Sequence, residues 1–502
     1  MSSSSSDFTP EWIWGDDAET TVFAQGYGKD RTVIFSFRLD SSQAPTSLAN
    51  RICNSFHALE VPEAESFHSP DDMRDSLWNA VRTVWPECLQ HESISRMDTV
   101  VDIGDQDRTT GRSFWKVYSH PWFSRYLHIL TDPDLGRAAT SISPHKVPFE
   151  RLVRYEQLGG RGCATRVRLD SDAKDFHVFK GIDFRTFLAQ SDDEDDSAVK
   201  HTVWGWHNSN TLLSTMPPHP NILPSPLFLV TIKHDIQELV CGTIQPLYAG
   251  GDVGSSIEKS NYRRERLPQE LKAHWCADMS AALLHTHRVA KSYHMDIKPG
   301  NFLIDEHQNL VLCDWEQTDA PSTTLAPEAD GTWDVIEDEA METGDEVIEM
   351  GGNSLNEGGD IDFKKTSTTS NGKRCRLRYT KYDGPLRRNV PEDALGDETW
   401  HTWNVFPIWN KAHPFALELA EVFSLGRAMW MLLRQPDMEF DDIEHPNDLR
   451  TNWGNSEDVP ESWKTFVDQC MAIDPNKRPD MLQLFEFWDS EWKALKEDRV
   501  ST

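Results

Sequence analysis

The chain has no C-x-x-C pair. Its eight cysteines (Cys53, Cys88, Cys163, Cys241, Cys276, Cys313, Cys375 and Cys470) lie scattered, which argues against both a zinc site and a disulfide framework. Reduced thiols in an intracellular setting are therefore expected. Basic residues are scarce beside acidic ones, 50 against 82, for a formal net charge of −32. That balance argues against nucleic acid or an anionic membrane as a bulk partner. No apolar run approaches the roughly 20 residues needed to span a bilayer. The opening Met1, Ser2 to Ser6 and Asp7 has neither the charged nor the apolar region of a secretory leader. Together these absences predict a soluble protein of the cytoplasm or nucleus. What is present supports a folded core: 38% of the 502 residues are hydrophobic, and the length fits two domains.

The most informative stretch runs from Tyr293 to Ile304, Tyr-His-Met-Asp-Ile-Lys-Pro-Gly-Asn-Phe-Leu-Ile. It places Asp296, Lys298 and Asn301 within six residues. Two short apolar runs, Phe302 to Ile304 and Leu310 to Leu312, flank the polar turn Asp305 to Asn309. The pattern reads as strand, hairpin turn, strand. A hairpin brings its ends together, so Asn301 and Asp314 are expected to lie close. Two oxygen ligands at that separation suit Mg²⁺, which completes its shell with waters and substrate phosphates. Asp296 faces the same place in this reading and accepts a proton from an attacking hydroxyl.

Residues 1–145 carry no catalytic constellation and form an N-terminal extension. Thr32 to Phe37 reads as a strand, Met73 to Leu89 as a helix with apolar residues at Leu77, Val81, Val84, Trp85 and Cys88. An accessory layer on the main domain and a docking module are equally compatible with it. Next, Tyr155 to Val167 reads as strand, glycine turn, strand, with Gly160 and Gly162 in the turn; glycines let a backbone approach a phosphate without a Cβ in the way. Lys180 lies on the following strand. The charge run Ser191 to Asp196 predicts a solvated insertion over 190–197. A helix follows over Ala198 to Thr215, and Leu239 to Ile244 is a buried-type strand. Leu271 to Val289 is a helix leading to the central stretch. Residues 329–395 are acidic, then glycine-rich, then basic, which predicts a disordered insertion. Ala420 to Leu433 is a strongly apolar helix.

The central stretch resembles the catalytic loop of protein kinases, His-x-Asp-x-Lys-x-x-x-Asn, followed by an Asp-initiated triplet; His294, Asp296, Lys298, Asn301 and Asp314 match in order and spacing. The resemblance runs from about 150 to 495. It includes Gly160-x-Gly162-x-x-Thr165-x-Val167, with Thr165 where a third glycine is usual, and His219 to Ile222. It also includes Ala420 to Gly426, with Glu421 for the usual Asp, and Cys470 to Pro479. It implies an α+β, two-lobed fold, with a small mainly β lobe and a larger mainly α lobe. It also implies a serine/threonine kinase-like transfer of phosphate from ATP, with ATP and Mg²⁺ as cofactors and a protein as substrate. Gly160, Gly162, Val167, Lys180, Leu247, Tyr248 and Asp252 would then bind the nucleotide, and Lys180 would hold the α- and β-phosphates. Asn301 and Asp314 would hold the metal; Asp296 and Lys298 would serve the transfer. Glu421 would tie down the loop backbone, His285 would be structural, and Arg478 would pair with an activation-segment glutamate near Ala326-Pro327-Glu328.

The chain departs from that pattern at three points. The helix over Ala198 to Thr215 has no acid to pair with Lys180; Asn208, Asn210 or Glu194 are the substitutes on offer. Asp314 is followed by Trp315-Glu316 rather than Phe-Gly. Met295 stands where an arginine usually gathers a phosphorylated loop. These departures carry the alternative expectation, a pseudokinase that keeps the fold without transfer.

Overall fold

The protein is described here by a computed structural model, covering residues 8–16, 18–28, 31–58, 67–106, 113–131, 145–158, 163–170, 174–191, 196–234, 236–318, 320–338, 376–382, 405–437, 446, 448–454 and 456–501. It is a mixed α and β protein that divides into two compact units. The first runs to Ser214 and resumes over Ser225–Leu247; the second takes Thr215–Pro224 and the described residues from Tyr248 onward. No described helix is long and apolar enough to cross a membrane.

Unit 1 contains two sheets. The first has strands β1 (Thr9–Gly15), β2 (Thr21–Gly28), β3 (Arg31–Arg38), β4 (Thr99–Gln106) and β5 (Ser113–Ser119) in that spatial order. The parallel pairing of β3 with β4 requires a crossover, supplied by helices α1 (Leu48–Phe56) and α2 (Pro70–Cys88). Strand alternation sorts the side chains by face. Val22, Ala24, Val33, Phe35 and Phe37 pack with Ile52, Leu77, Val81 and Trp85 of the two helices. Phe23, Ile34 and Val100 point the other way, into a core shared with the second sheet. Residues 1–145 are thus not a separate body: their sheet is sandwiched between its own helices and the rest of unit 1.

The second sheet has order β6-β10-β11-β9-β8-β7, from β6 (Lys146–Pro148), β7 (Val153–Gln157), β8 (Ala164–Arg168), β9 (His177–Gly181), β10 (Phe228–His234) and β11 (Gln237–Pro246). Helices α3 (Phe123–Leu130), α4 (Phe184–Gln190) and α5 (Ser197–Thr215) belong to the same unit. Phe179, Phe184, Phe187, Val199 and Trp206 join its core. Gly181 has no alternative: a Cβ there would lie 2.3 Å from the Cys241 carbonyl oxygen.

Unit 2 contains six described α-helices. They are α6 (Val253–Arg263), α7 (Gln269–Arg288), α8 (Phe406–Ala412), α9 (Pro414–Arg434), α10 (Glu461–Cys470) and α11 (Met481–Ser501). Every residue of α9 from Ala416 to Leu433 is buried. Its last carbonyls are capped by cations, as the helix dipole favours: Arg266 donates to the Leu433 and Arg434 oxygens, and Lys272 to Leu433. Asp458 neutralises both cations, 2.6 Å from the Lys272 amine.

Two stretches expected to be disordered are ordered in part. Within 329–395, β14 (Trp333–Asp338) and β15 (Arg376–Lys381) form an antiparallel ladder. Burial of Val335 and Leu377 drives it, which the flanking charge conceals in the sequence. Asn476 then clasps Leu377, donating to its carbonyl at 3.0 Å and accepting from its amide at 2.9 Å. Within 190–197, Ser191 is buried and Asp196 forms an ion pair with Arg125 at 2.7 Å, a basic partner supplied from far upstream. The stretches 339–375, 383–400 and 192–195 lie outside the described residues, as does Glu194.

The Asn476 clasp predicts that Asn476→Ala speeds amide exchange at Leu377 about fivefold, the equivalent of about 1 kcal/mol for a lost hydrogen bond. Unchanged exchange at Leu377 would mean that the ladder orders itself without the clasp.

Candidate functional site

The candidate site begins with the hairpin. Strands β12 (Phe302–Ile304) and β13 (Leu310–Leu312) pair antiparallel, Phe302 opposite Leu312. The Asp305 carboxylate closes the turn, accepting from the amides of His307 and Asn309. Cys313 then donates its amide to the Asn301 carbonyl at 2.9 Å. This bond brings the chain at Asn301 and at Asp314 to the same end of the hairpin, the proximity read from the turn.

The loop before the hairpin is held from below. Glu421 is wholly buried on α9; one of its oxygens accepts the amides of His294 at 2.8 Å and Met295 at 2.6 Å. Its other oxygen sits 2.7 Å from His287 Nε2, close but off the hydrogen-bond direction. Met295 has φ +78° and Asp314 φ +64°; both are left-handed, a conformation that non-glycine residues take only where neighbours fix it. His294 Nε2 lies 2.7 Å from the Cys313 carbonyl, and its ring meets Trp315 edge-on at 4.6 Å.

Asp296 is the centre of this arrangement. One carboxylate oxygen receives Lys298 Nζ at 2.7 Å and Asn301 Nδ2 at 2.8 Å. The other is buried and has no hydrogen-bond partner. An unsatisfied buried carboxylate oxygen is costly. Asn301 Nδ2 also donates to the Asp296 carbonyl. With its nitrogen committed to Asp296, Asn301 offers its amide oxygen as a ligand. Asn301 and Asp314 are the two oxygen donors expected from the sequence to hold Mg²⁺, and the Asn301–Cys313 bond puts their backbones at the same end of the hairpin. Among the described residues no group of three or more His, Cys, Asp or Glu forms a protein-only metal cluster, and the seven described cysteines form no disulfide.

Neighbouring residues hold the hairpin. Asn221 donates to the Leu310 carbonyl and accepts from the Leu312 amide. His285 Nε2 contacts the Pro217 carbonyl at 2.8 Å, and its ring packs 4.6 Å from that of His219; burial, with His285 beside it, pushes His219 down to about 4. Asp278, on α7, accepts the Leu310 amide at 2.8 Å. Sequence reasoning missed Asp278; its only signal was an acid beside Trp275 and Met279 on a buried helical face. His287 was missed for the same reason. Arg478 makes a two-point ion pair with Glu328.

Unit 1 carries the remaining residues named from the sequence. Lys180 is on β9, opposite Ala164 of β8 and Thr243 of β11. Its carbonyl accepts the Trp206 indole at 3.1 Å, and its half-buried side chain leaves the sheet face opposite to Phe179. Helix α5 contains no acid; Asn210 is buried there, with no hydrogen-bond partner for Nδ2, and Asn208 lies one face away. Gly160 and Gly162 lie outside the described residues. Val167 is 0% exposed, because the alternation of β8 turns Thr165 and Val167 inward. Leu247 and Tyr248 straddle the division between the units and are both half-buried. Asp252 caps α6, accepting from the Ser255 amide and hydroxyl. Both of its oxygens are engaged in that cap.

Two outcomes follow. Glu421→Ala strands two buried amides, and at about 1–3 kcal/mol for each urea unfolding should register a loss of about 2–6 kcal/mol. Glu421→Gln, which keeps an acceptor, should lose less; equal losses would contradict the clamp. Burial pushes Asp278 from its usual 3.8 up to about 7. The folded chain therefore binds an extra proton between those values, so the stability from this group is complete below 3.8 and is lost as pH rises through 7. Asp278→Asn should flatten the melting temperature over that window, and an unchanged slope would contradict this assignment.

No family model matches the sequence and no curated protein matches it, so the chain's own residues carry the functional reading.

Proposed function

We propose that this chain is a protein kinase-like phosphotransferase with a two-lobed fold, moving the γ-phosphoryl group of ATP to serine or threonine hydroxyls of a protein. The observation that carries the proposal is the Asp296 carboxylate, with one oxygen fixed by Lys298 and Asn301 and the other buried without a partner. Few structural roles need that asymmetry; a base that accepts a hydroxyl proton does. The Glu421 clamp, the Asn301–Cys313 bond and the Glu328–Arg478 pair support the same reading.

In the proposed reaction, the free Asp296 oxygen orients the acceptor hydroxyl and takes its proton as the hydroxyl oxygen attacks the γ-phosphorus, the bond to the β–γ bridging oxygen breaks, and ADP leaves. Lys298 neutralises charge on the moving phosphoryl group. Asn301 and Asp314 would hold Mg²⁺, which would neutralise charge on the phosphates. Lys180 and the β7–β8 hairpin are assigned to the phosphates, and Leu247 and Tyr248 to the adenine. Catalysis of this kind is mostly positioning and electrostatics, which suits a loop pinned by buried hydrogen bonds.

A second reading, a pseudokinase that binds nucleotide without transfer, is favoured by the chain's departures from the family pattern, an α5 with no acid and Trp315-Glu316 after Asp314. One experiment separates the two. Asp296→Asn should cut phosphate transfer from MgATP to a serine/threonine peptide by about 10²–10⁴-fold, the usual worth of a positioned base, while nucleotide binding persists. Equal turnover by the wild type and the variant refutes the transferase, and nucleotide binding with no wild-type turnover establishes the pseudokinase.

A further inference from the structure

The last two residues of α7 face two acids on α9. His287 meets Glu421, and Arg288 meets Glu418 one turn away. Arg288 donates to a Glu418 oxygen at 2.8 Å, and the same oxygen accepts the Met481 amide, the first of α11, at 3.0 Å. That pair fastens three helices, a structural task.

The Glu421 pair is different. Glu421 is wholly buried, and one of its oxygens is taken by the His294 and Met295 amides. Its second oxygen has no hydrogen-bond partner among the described residues. His287 Nε2 lies 2.7 Å from it, and that nitrogen has no other hydrogen-bond partner there either. Both side chains are buried. A buried carboxylate oxygen needs a donor or a cation beside it, and the imidazole is what the fold brings within reach.

The places of these groups along the chain give the contact its meaning. Helix α7 ends at Arg288 and the backbone doubles back at once. Val289 and Ala290 both donate to the His285 carbonyl, and Ser292 donates to that of Thr286. Lys291 is left-handed, with φ +52°. Residues 289–293 are therefore a tight connection between α7 and the stretch that carries Asp296. His287 stands before this connection; His294 and Met295 stand directly after it. One carboxylate thus touches both ends. It links the position of α7 to the backbone at Met295, the left-handed residue that precedes Asp296.

We propose that His287 is a positioning residue for phosphate transfer: its Nε2–H holds the second Glu421 oxygen, so that one carboxylate closes the connection over 288–293 at both ends and fixes the backbone that presents Asp296. The role rests on the phosphotransferase reading for the reaction it serves, and not for the clamp itself.

The test uses the full chain with His287→Phe, which keeps a ring and removes the donor, and His287→Gln, which keeps an N–H. Arg288→Gln is the control, since it loosens the helices without touching Glu421. Turnover and the KM for MgATP are measured on a serine/threonine peptide, and amide exchange is followed at His294 and Met295. His287→Phe should speed exchange at both amides about 10-fold, the worth of a hydrogen bond to a charged group. It should lower kcat about 10–100-fold, the cost of a catalytic group slightly out of place, with KM for MgATP unchanged. His287→Gln should restore most of both readouts, and Arg288→Gln should lower the unfolding midpoint and leave both as in the wild type. In a Glu421→Gln background, His287→Phe should cost less than it does alone, because the carboxylate it serves is gone. Wild-type kcat and exchange in folded His287→Phe overturn the proposal, as does strict additivity. Nitrogen NMR of the wild-type imidazole decides the matter even where a variant does not fold: a proton is expected on His287 Nε2, and a bare Nε2 overturns the clamp. If the wild type transfers no phosphate, the phosphotransferase reading falls, and the exchange rates and the imidazole spectrum still decide whether His287 holds Glu421.

Discussion

One buried carboxylate sets the geometry on which unit 2 depends. Glu421 sits on the most deeply packed helix and spends a single oxygen on two consecutive backbone amides, those of His294 and Met295. Hydrogen bonds to an ionised acceptor contribute about 1.5–3 kcal/mol each. That is enough to hold Met295 at φ +78°, a strain of about 1–3 kcal/mol. The reversed backbone at Met295 then carries the next residue, Asp296, to the mouth of the hairpin. Stability is placed in α9 and its strain in the loop, the usual division between a scaffold and a reactive site.

From Asp296 the order spreads through short contacts. Lys298 and Asn301 fix one carboxylate oxygen, the Asn301 carbonyl holds Cys313, and Cys313 positions Asp314. Asn221 and Asp278 grip β13 from two other segments of the same unit. Each contact is modest. Together they leave the hairpin few alternatives, which is what positional catalysis requires.

Much of this was legible because local rules and tertiary packing agree. The turn Asp305 to Asn309 between two apolar triplets leaves little choice but a hairpin. The apolar spacing of α2 and α7 reads directly as helix. The acid at Glu421 was legible through its place in an apolar helix beside a family-like pattern. What stayed hidden depends on partners distant in sequence. Nothing near Trp333 or Arg376 announces that Leu377 will be buried and clasped by Asn476. Val167 alternates as any strand residue does, and only the second layer of unit 1 decides which face is covered. The acid Asp278 looks like a solvated charge until the fold removes its water.

The account is tested most directly by a crystal structure with Mg²⁺ and a non-hydrolysable ATP analogue. The metal should lie about 2.0–2.1 Å, the ordinary Mg²⁺–oxygen distance, from the Asn301 amide oxygen and an Asp314 carboxylate oxygen, and the second Asp296 oxygen should remain open to a hydroxyl. A metal bound elsewhere, or an Asp296 carboxylate turned away with both oxygens engaged, would contradict it.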